Sequence, residues 1–116
     1  IRGADCLLWS TMLAGCPSAT SFFMDSSIDT GDIIKASYLP KISLPAEVSS
    51  LDKKIIYRLL YSFIDPWIRS VVLRDTLMST DYLENINATP QIKEQGTTFH
   101  FMHEKMISKV IKLLLK

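Results

Sequence analysis

Residues 20–39 read TSFFMDSSIDTGDIIKASYL, and this stretch decides the fold. Thr20, Phe22 and Phe23, continued by Met24, favour a short strand because β-branched and aromatic side chains fit a pleated surface. Asp25-Ser26-Ser27 is a polar turn that leads into Ile28-Asp29-Thr30-Gly31-Asp32. Ile33 and Ile34 then open a second strand that runs to Leu39, before Pro40. The pattern predicts a strand–loop–strand around residues 20–38, with Asp29 on an acidic, glycine-containing loop that faces a cleft.

Helical spacing lies on both sides of this unit. Upstream, Leu7, Leu8, Met12 and Leu13 predict a helix over residues 4–14, stopped by Gly15, Cys16 and Pro17. Downstream, residues 40–50 form a connector with Pro45 inside it. Ser49 is the expected N-cap and Asp52 its first-turn acid, followed by Ile55, Ile56, Leu59, Leu60 and Phe63 at helical spacing. Asp65-Pro66 restarts the pattern as N-cap and N1, giving a second helix to about Met78 that buries Trp67, Ile68, Val71 and Val72. Residues 80–96 are polar and irregular and read as loop. A last short strand is expected over 97–102, and a terminal helix from about His103. No internal repeat or low-complexity segment interrupts this α/β order.

With 116 residues the chain is one domain or less, and 13 basic against 12 acidic residues leave a net charge of +1. A module that neutralises phosphates carries a larger basic excess, so nucleic acid is not the expected partner. Hydrophobic residues at 47% and charged residues at 22% exclude a disordered tail. No apolar run approaches the roughly 18 residues of a membrane span. The chain opens with Ile1 and carries no signal-peptide pattern, so it reads as a piece of a longer, cytoplasmic protein. Cys6 and Cys16 would lie on the order of 15 Å apart along a helix, and a disulfide needs α-carbons within about 7 Å. Two reduced thiols are expected.

Other motifs reduce to ordinary structure. Lys105, Lys109, Lys112 and Lys116 share one helix face, which suits either an anionic membrane surface or a solvated flank; packing of the opposite apolar face is the expected case. His103-Glu104 starts like a zincin helix, but Ile107 stands where the second histidine is required. Asn87-Ala88-Thr89 is a glycosylation sequon by pattern alone. Asp29-Thr30-Gly31 also occurs in retroviral-type aspartic proteases, where it carries half of a carboxylate dyad. Asp32 adds a charge where that family places Ala or Ser, and the helical second half opposes an all-β protease.

A wider set of residues resembles the folate-dependent formyltransferases, of the methionyl-tRNA and amino-sugar N-formyltransferase type. Arg2-Gly3-Ala4, a helix with Trp9 and Ser10, Ala14-Gly15, the strand from Ser18-Ala19-Thr20, Met24-Asp25, and Asp29-Thr30-Gly31-Asp32-Ile33 follow the family's order over residues 1–40. Two positions depart from it: Phe22 replaces a polar residue or His, and Ser18-Ala19 replaces Gly-Val. The resemblance implies that residues 1–116 are the C-terminal portion of a formyltransferase catalytic domain, a partial doubly wound, Rossmann-like sheet lacking its first strands. It implies transfer of a formyl group from 10-formyltetrahydrofolate to an amine, an amino sugar on a nucleotide ahead of methionyl-tRNA. Asp29 matches the catalytic carboxylate. Met24, Asp25, Ser26, Ser27, Ile28 and Asp29 match the segment that holds the pterin, and Arg2 lies on the acceptor side. In the family an Asn and a protonated His stabilise the oxyanion; that Asn-x-His is expected about ten residues before Arg2, outside this chain. The rival implication is a non-catalytic formyltransferase-like binding domain. The chain alone is expected to be inactive and poorly stable, and to form a homodimer through an open sheet edge, bind hydrophobic dyes or aggregate.

Overall fold

The computed structural model describes residues 1–79, 86–92, 94 and 96–115. The chain opens with a two-residue strand, β1 (Arg2–Gly3), and helix α1 (Cys6–Ala14). Gly15 closes α1 at φ 73°, donating its N–H to Thr11 O in the left-handed turn that glycine enters without a Cβ penalty. Strands β2 (Ser18–Phe22) and β3 (Ile33–Tyr38) then pair antiparallel, from Ser18 opposite Tyr38 to Phe22 opposite Ile33. The expected strand–loop–strand is present, with β2 starting and ending two residues early. Beyond β2, Phe23 N–H donates to Asp32 O and narrows the loop between the strands. Gly31 crosses directly against Phe23: a Cβ there would stand 1.6 Å from the Phe23 carbonyl oxygen.

The connector holds a 3₁₀ turn at Ala46–Ser50, which takes up Ser49 and so removes it as the helix cap. Leu51 is extended (φ −79°, ψ 152°), and Asp52 caps α2 (Lys53–Leu59) by accepting from Lys54 N–H at 2.7 Å. The expected break at Asp65-Pro66 does not occur. A π turn, Leu60–Ile64, carries α2 straight into α3 (Asp65–Ser79). Asp65 is helical at φ −62°, ψ −48°, and its N–H donates back to Leu60 O across the wider turn. That extra width relieves the clash of the Pro66 ring with the preceding turn, so the proline is carried inside a continuous helix.

The same turn resets which side chains reach the core. Ile56, Leu60, Ile68, Val72 and Thr76 are buried, each spaced by a multiple of four. Ile55, Phe63 and Trp67, all expected inside, are 53%, 68% and 58% exposed. Strand β4 (Thr98–Phe99) pairs parallel with β1, Arg2 opposite Thr98 and Gly3 opposite Phe99. The strand expected over 97–102 is cut to two residues because Met102 N–H turns away to the Asp5 carboxylate. Helix α4 (Glu104–Leu114) is capped by His103. It buries Val110, Ile111 and Leu114 while Lys105, Lys109 and Lys112 stay exposed. Lys116 and residues 80–85, 93 and 95 of the expected loop lie outside the described residues.

The chain is thus a small mixed α/β unit: a short parallel pair, an antiparallel hairpin and three helical rods, of which α2 and α3 form one. Its core is made between the helices, where Leu7 and Leu8 of α1 meet Ile56, Leu60 and Ile68 and the buried face of α4. The hairpin stands at the margin of this core, with Phe22 half-buried and Phe23 42% exposed. No described helix is long and apolar enough to cross a membrane.

Candidate functional site

The loop between β2 and β3 is organised by Asp25. Its carboxylate accepts the Thr30 hydroxyl at 2.7 Å and the Ser27 N–H at 2.9 Å. These two donors, the hydroxyl first, hold the Asp25 carboxyl below the usual carboxylate range. Asp29 follows in the left-handed region at φ 56°, a conformation that Asp tolerates better than most side chains. It is half-buried, and its carboxylate makes no hydrogen bond among the described residues.

Arg2 reaches the same place from β1. Pairing with β4 fixes its backbone, the Arg2 N–H donating to Thr97 O at 3.0 Å. The guanidinium donates to Gln91 Oε1, and Gln91 Nε2 donates at 2.5 Å to the carbonyl of Gly31. One amide side chain therefore clasps Arg2 to the Asp29-Thr30-Gly31 turn. The backbone pair between Ile33 and Thr89, 2.8 Å in both directions, brings Gln91 to that position. Gly96 lies flat against the guanidinium, where a Cβ would come within 2.6 Å of it.

Arg2 and Asp29 line one cavity of about 330 Å³, with Asp65, Arg69, Gln91 and Cys6 on its wall. Asp65 and Arg69, one turn apart on α3, form an ion pair at 2.7 Å. Two guanidinia and two carboxylates thus face a single space, an arrangement that suits a substrate carrying an amine and an anionic group. The Cys6 thiol points at Gly3 O, 3.2 Å away. Burial pushes its pKa up, against a smaller downward pull from Arg69, so it is a poor nucleophile at neutral pH. Cys6 and Cys16 are unbridged.

Of the residues singled out from sequence, Arg2 and Asp29 come together on the cavity. Met24, Asp25, Ser26, Ser27 and Ile28 do not line it; they form the exposed rim beside Asp29, with Met24 94% and Ile28 90% exposed. Gln91, Asp65 and Arg69 were not anticipated. The i, i+4 spacing of Asp65 and Arg69 was a usable signal, whereas Gln91 sat in a stretch that reads only as loop. Among the described residues no cluster of His, Cys, Asp and Glu is arranged to hold a metal. In comparisons with family models, curated proteins and solved structures, nothing matches this chain.

Proposed function

We propose that this chain supplies the carboxylate side of a formyltransferase site, in which an amine takes the formyl group of 10-formyltetrahydrofolate. The observation that carries the reading is Asp29: half-buried, backbone-strained, on the cavity wall, and with a carboxylate that makes no hydrogen bond among the described residues. Left-handed backbone at a non-glycine residue costs on the order of 1–3 kcal/mol and clusters at functional sites. The neighbouring Asp25 is consumed by the loop and neither it nor Asp32 lines the cavity, so Asp29 is the carboxylate of this loop that reaches it.

The rim of the loop fits a folate. The side chains of Met24 and Ile28 stand in solvent beside the backbone of Ser26 and the Ser27 carbonyl, giving a planar pterin an apolar surface and hydrogen-bonding backbone together, while the Ser27 N–H is held by Asp25. The folate, when bound, supplies the formyl carbon. Asp29 accepts the proton that the attacking amine loses, and holds a nearby imidazolium charged where one is supplied. Arg2, clamped by Gln91, orients the acceptor. The chain contains no Asn-x-His of its own, so donors to the oxyanion come from elsewhere in this reading. We read the two strand pairs as belonging to a doubly wound sheet, in a cytoplasmic enzyme whose acceptor is an amino sugar on a nucleotide.

The test uses the full reading frame that encodes this chain, assayed for transfer of formyl from 10-formyltetrahydrofolate to nucleotide-linked amino sugars. Asp29→Asn is expected to lower turnover by about 10²- to 10⁴-fold. Unchanged turnover would remove Asp29 from the chemistry, and retained binding of the folate without any turnover in the wild type would favour a binding domain.

A further inference from the structure

Helix α3 is apolar on two opposite faces. One faces the core through Ile68, Val72 and Thr76. On the other, Phe63 at the end of the π turn, Trp67, Leu73 and Leu77 are 68%, 58%, 55% and 50% exposed, with Met78 beside them at 83%. At 100° per residue the first four, together with Pro66, Ser70 and Arg74, fall within about a third of the helix circumference. We propose that this stripe is the interface of a twofold dimer, in which α3 packs antiparallel on α3 of a second copy of this chain.

The order of side chains along the stripe selects that occupant. Its N-terminal half is aromatic (Phe63, Trp67), its C-terminal half aliphatic (Leu73, Leu77), and Ser70 lies midway. Reversing one copy about Ser70 sets Trp67 on Leu73 of the second copy and Phe63 on its Leu77, so both halves are satisfied by the same operation. A twofold interface must be self-complementary in this way. Ser70 is small and its hydroxyl is already bonded to Pro66 O at 2.9 Å, so two copies can approach closely at the centre without burying an unsatisfied group. Charge does not oppose the contact: Arg74, the one charged residue in the stripe, is tied to Asp75 at 2.9 Å.

The surface area agrees. A folded monomer of this mass, 13.1 kDa, exposes about 6,400 Å². This chain exposes 8382 Å², an excess of about 2,000 Å² over that expectation. At roughly 150–250 Å² per large side chain, the exposed fractions of Phe63, Trp67, Leu73 and Leu77 give about 350–600 Å² per copy, and Met78, Pro66, Ser70 and Arg74 beside them add toward the ~800 Å² each partner contributes to a stable interface. The inference is independent of formyl transfer, because none of Phe63, Trp67, Leu73 and Leu77 lines the cavity that holds Arg2 and Asp29. It also places the contact on a helix and not on a sheet edge.

Sedimentation equilibrium of the full reading frame that encodes this chain is expected to give twice its monomer mass. Trp67→Lys and Leu73→Glu, each verified as folded by circular dichroism, are expected to be monomers. Because position 67 faces position 73 across the twofold, an equimolar mixture of the two variants is expected to restore the dimer, with one new ion pair. A monomeric wild type, a dimer that survives both substitutions, or a mixture that stays monomeric would each overturn the proposal.

Discussion

Two aspartates, Asp5 and Asp29, hold left-handed backbone at φ 52° and 56°, and their side chains are placed very differently. Asp5 is buried and fully engaged: Oδ1 accepts the Tyr57 hydroxyl and Oδ2 the Met102 N–H, both at 2.8 Å. It ties the start of α1 to α2 and to the segment entering α4. Burial, and then the hydrogen bond and charge of Asp5, push the Tyr57 phenol up to about 12. A tyrosine whose folded pKa lies above its unfolded value of about 10 contributes its full stability below pH ~10 and loses it as pH rises through the folded pKa. Titration at the phenolate absorbance band is expected to show a step near 12 that Tyr57→Phe removes, while stability of the wild type falls between about pH 10 and 12. Absence of that step would break the Asp5–Tyr57 link. The placement of Asp29 on a cavity-facing loop is legible in the sequence, but Asp5 is not. Its partners lie far along the chain, and no local spacing announces a carboxylate shared between two distant elements.

At the scale of elements, the hairpin was readable because its signals are local: strand-forming residues, a polar turn and a glycine that only close backbone approach explains. The helices were readable in extent and misread in register. Asp65-Pro66 has the chemistry of a helix start, and the competing solution, a π turn that widens the helix around the proline, leaves no composition signature. Phe63 and Trp67, which two helices broken at Asp65 would each bury, are turned outward on the continuous rod. The cap of α2 moved for a similar reason. Ser49 and Asp52 are both good capping residues, and the 3₁₀ turn at Ala46–Ser50 decides between them by taking up Ser49. The structure therefore makes an asymmetric prediction. Asp52→Ala, which removes the bond to Lys54 N–H, is expected to cost about 0.5–2 kcal/mol in denaturant unfolding. Ser49→Ala is expected to stay within about 0.5 kcal/mol. Equal costs would restore Ser49 as a cap.

At the scale of the whole molecule, stability comes from the helices and the site from the strands and the loops beside them. The radius of gyration, 15.6 Å, exceeds the ~13 Å of a compact domain of this length, and the principal extents are 49 × 29 × 20 Å. An elongated chain has one thin core, so each member matters. Leu60, 1% exposed, sits where the π turn meets that core, beside Ile56 and Leu8. Leu60→Ala removes its transfer energy and leaves a cavity that the surrounding rods cannot close, at a cost of about 2–5 kcal/mol. Set against total stabilities of about 5–15 kcal/mol, this is a large share of what holds the fold. Leu13 provides the control: it is the same residue type on α1 and 58% exposed, so Leu13→Ala is expected to stay within about 0.5 kcal/mol. The measurement is the urea midpoint at fixed protein concentration, which keeps any association constant between variants. A shift for Leu60→Ala no larger than that for Leu13→Ala would mean that the helices do not form a cooperative core. The strand carrying Arg2 and the loop carrying Asp29 would then lack the scaffold that brings those two residues to one cavity.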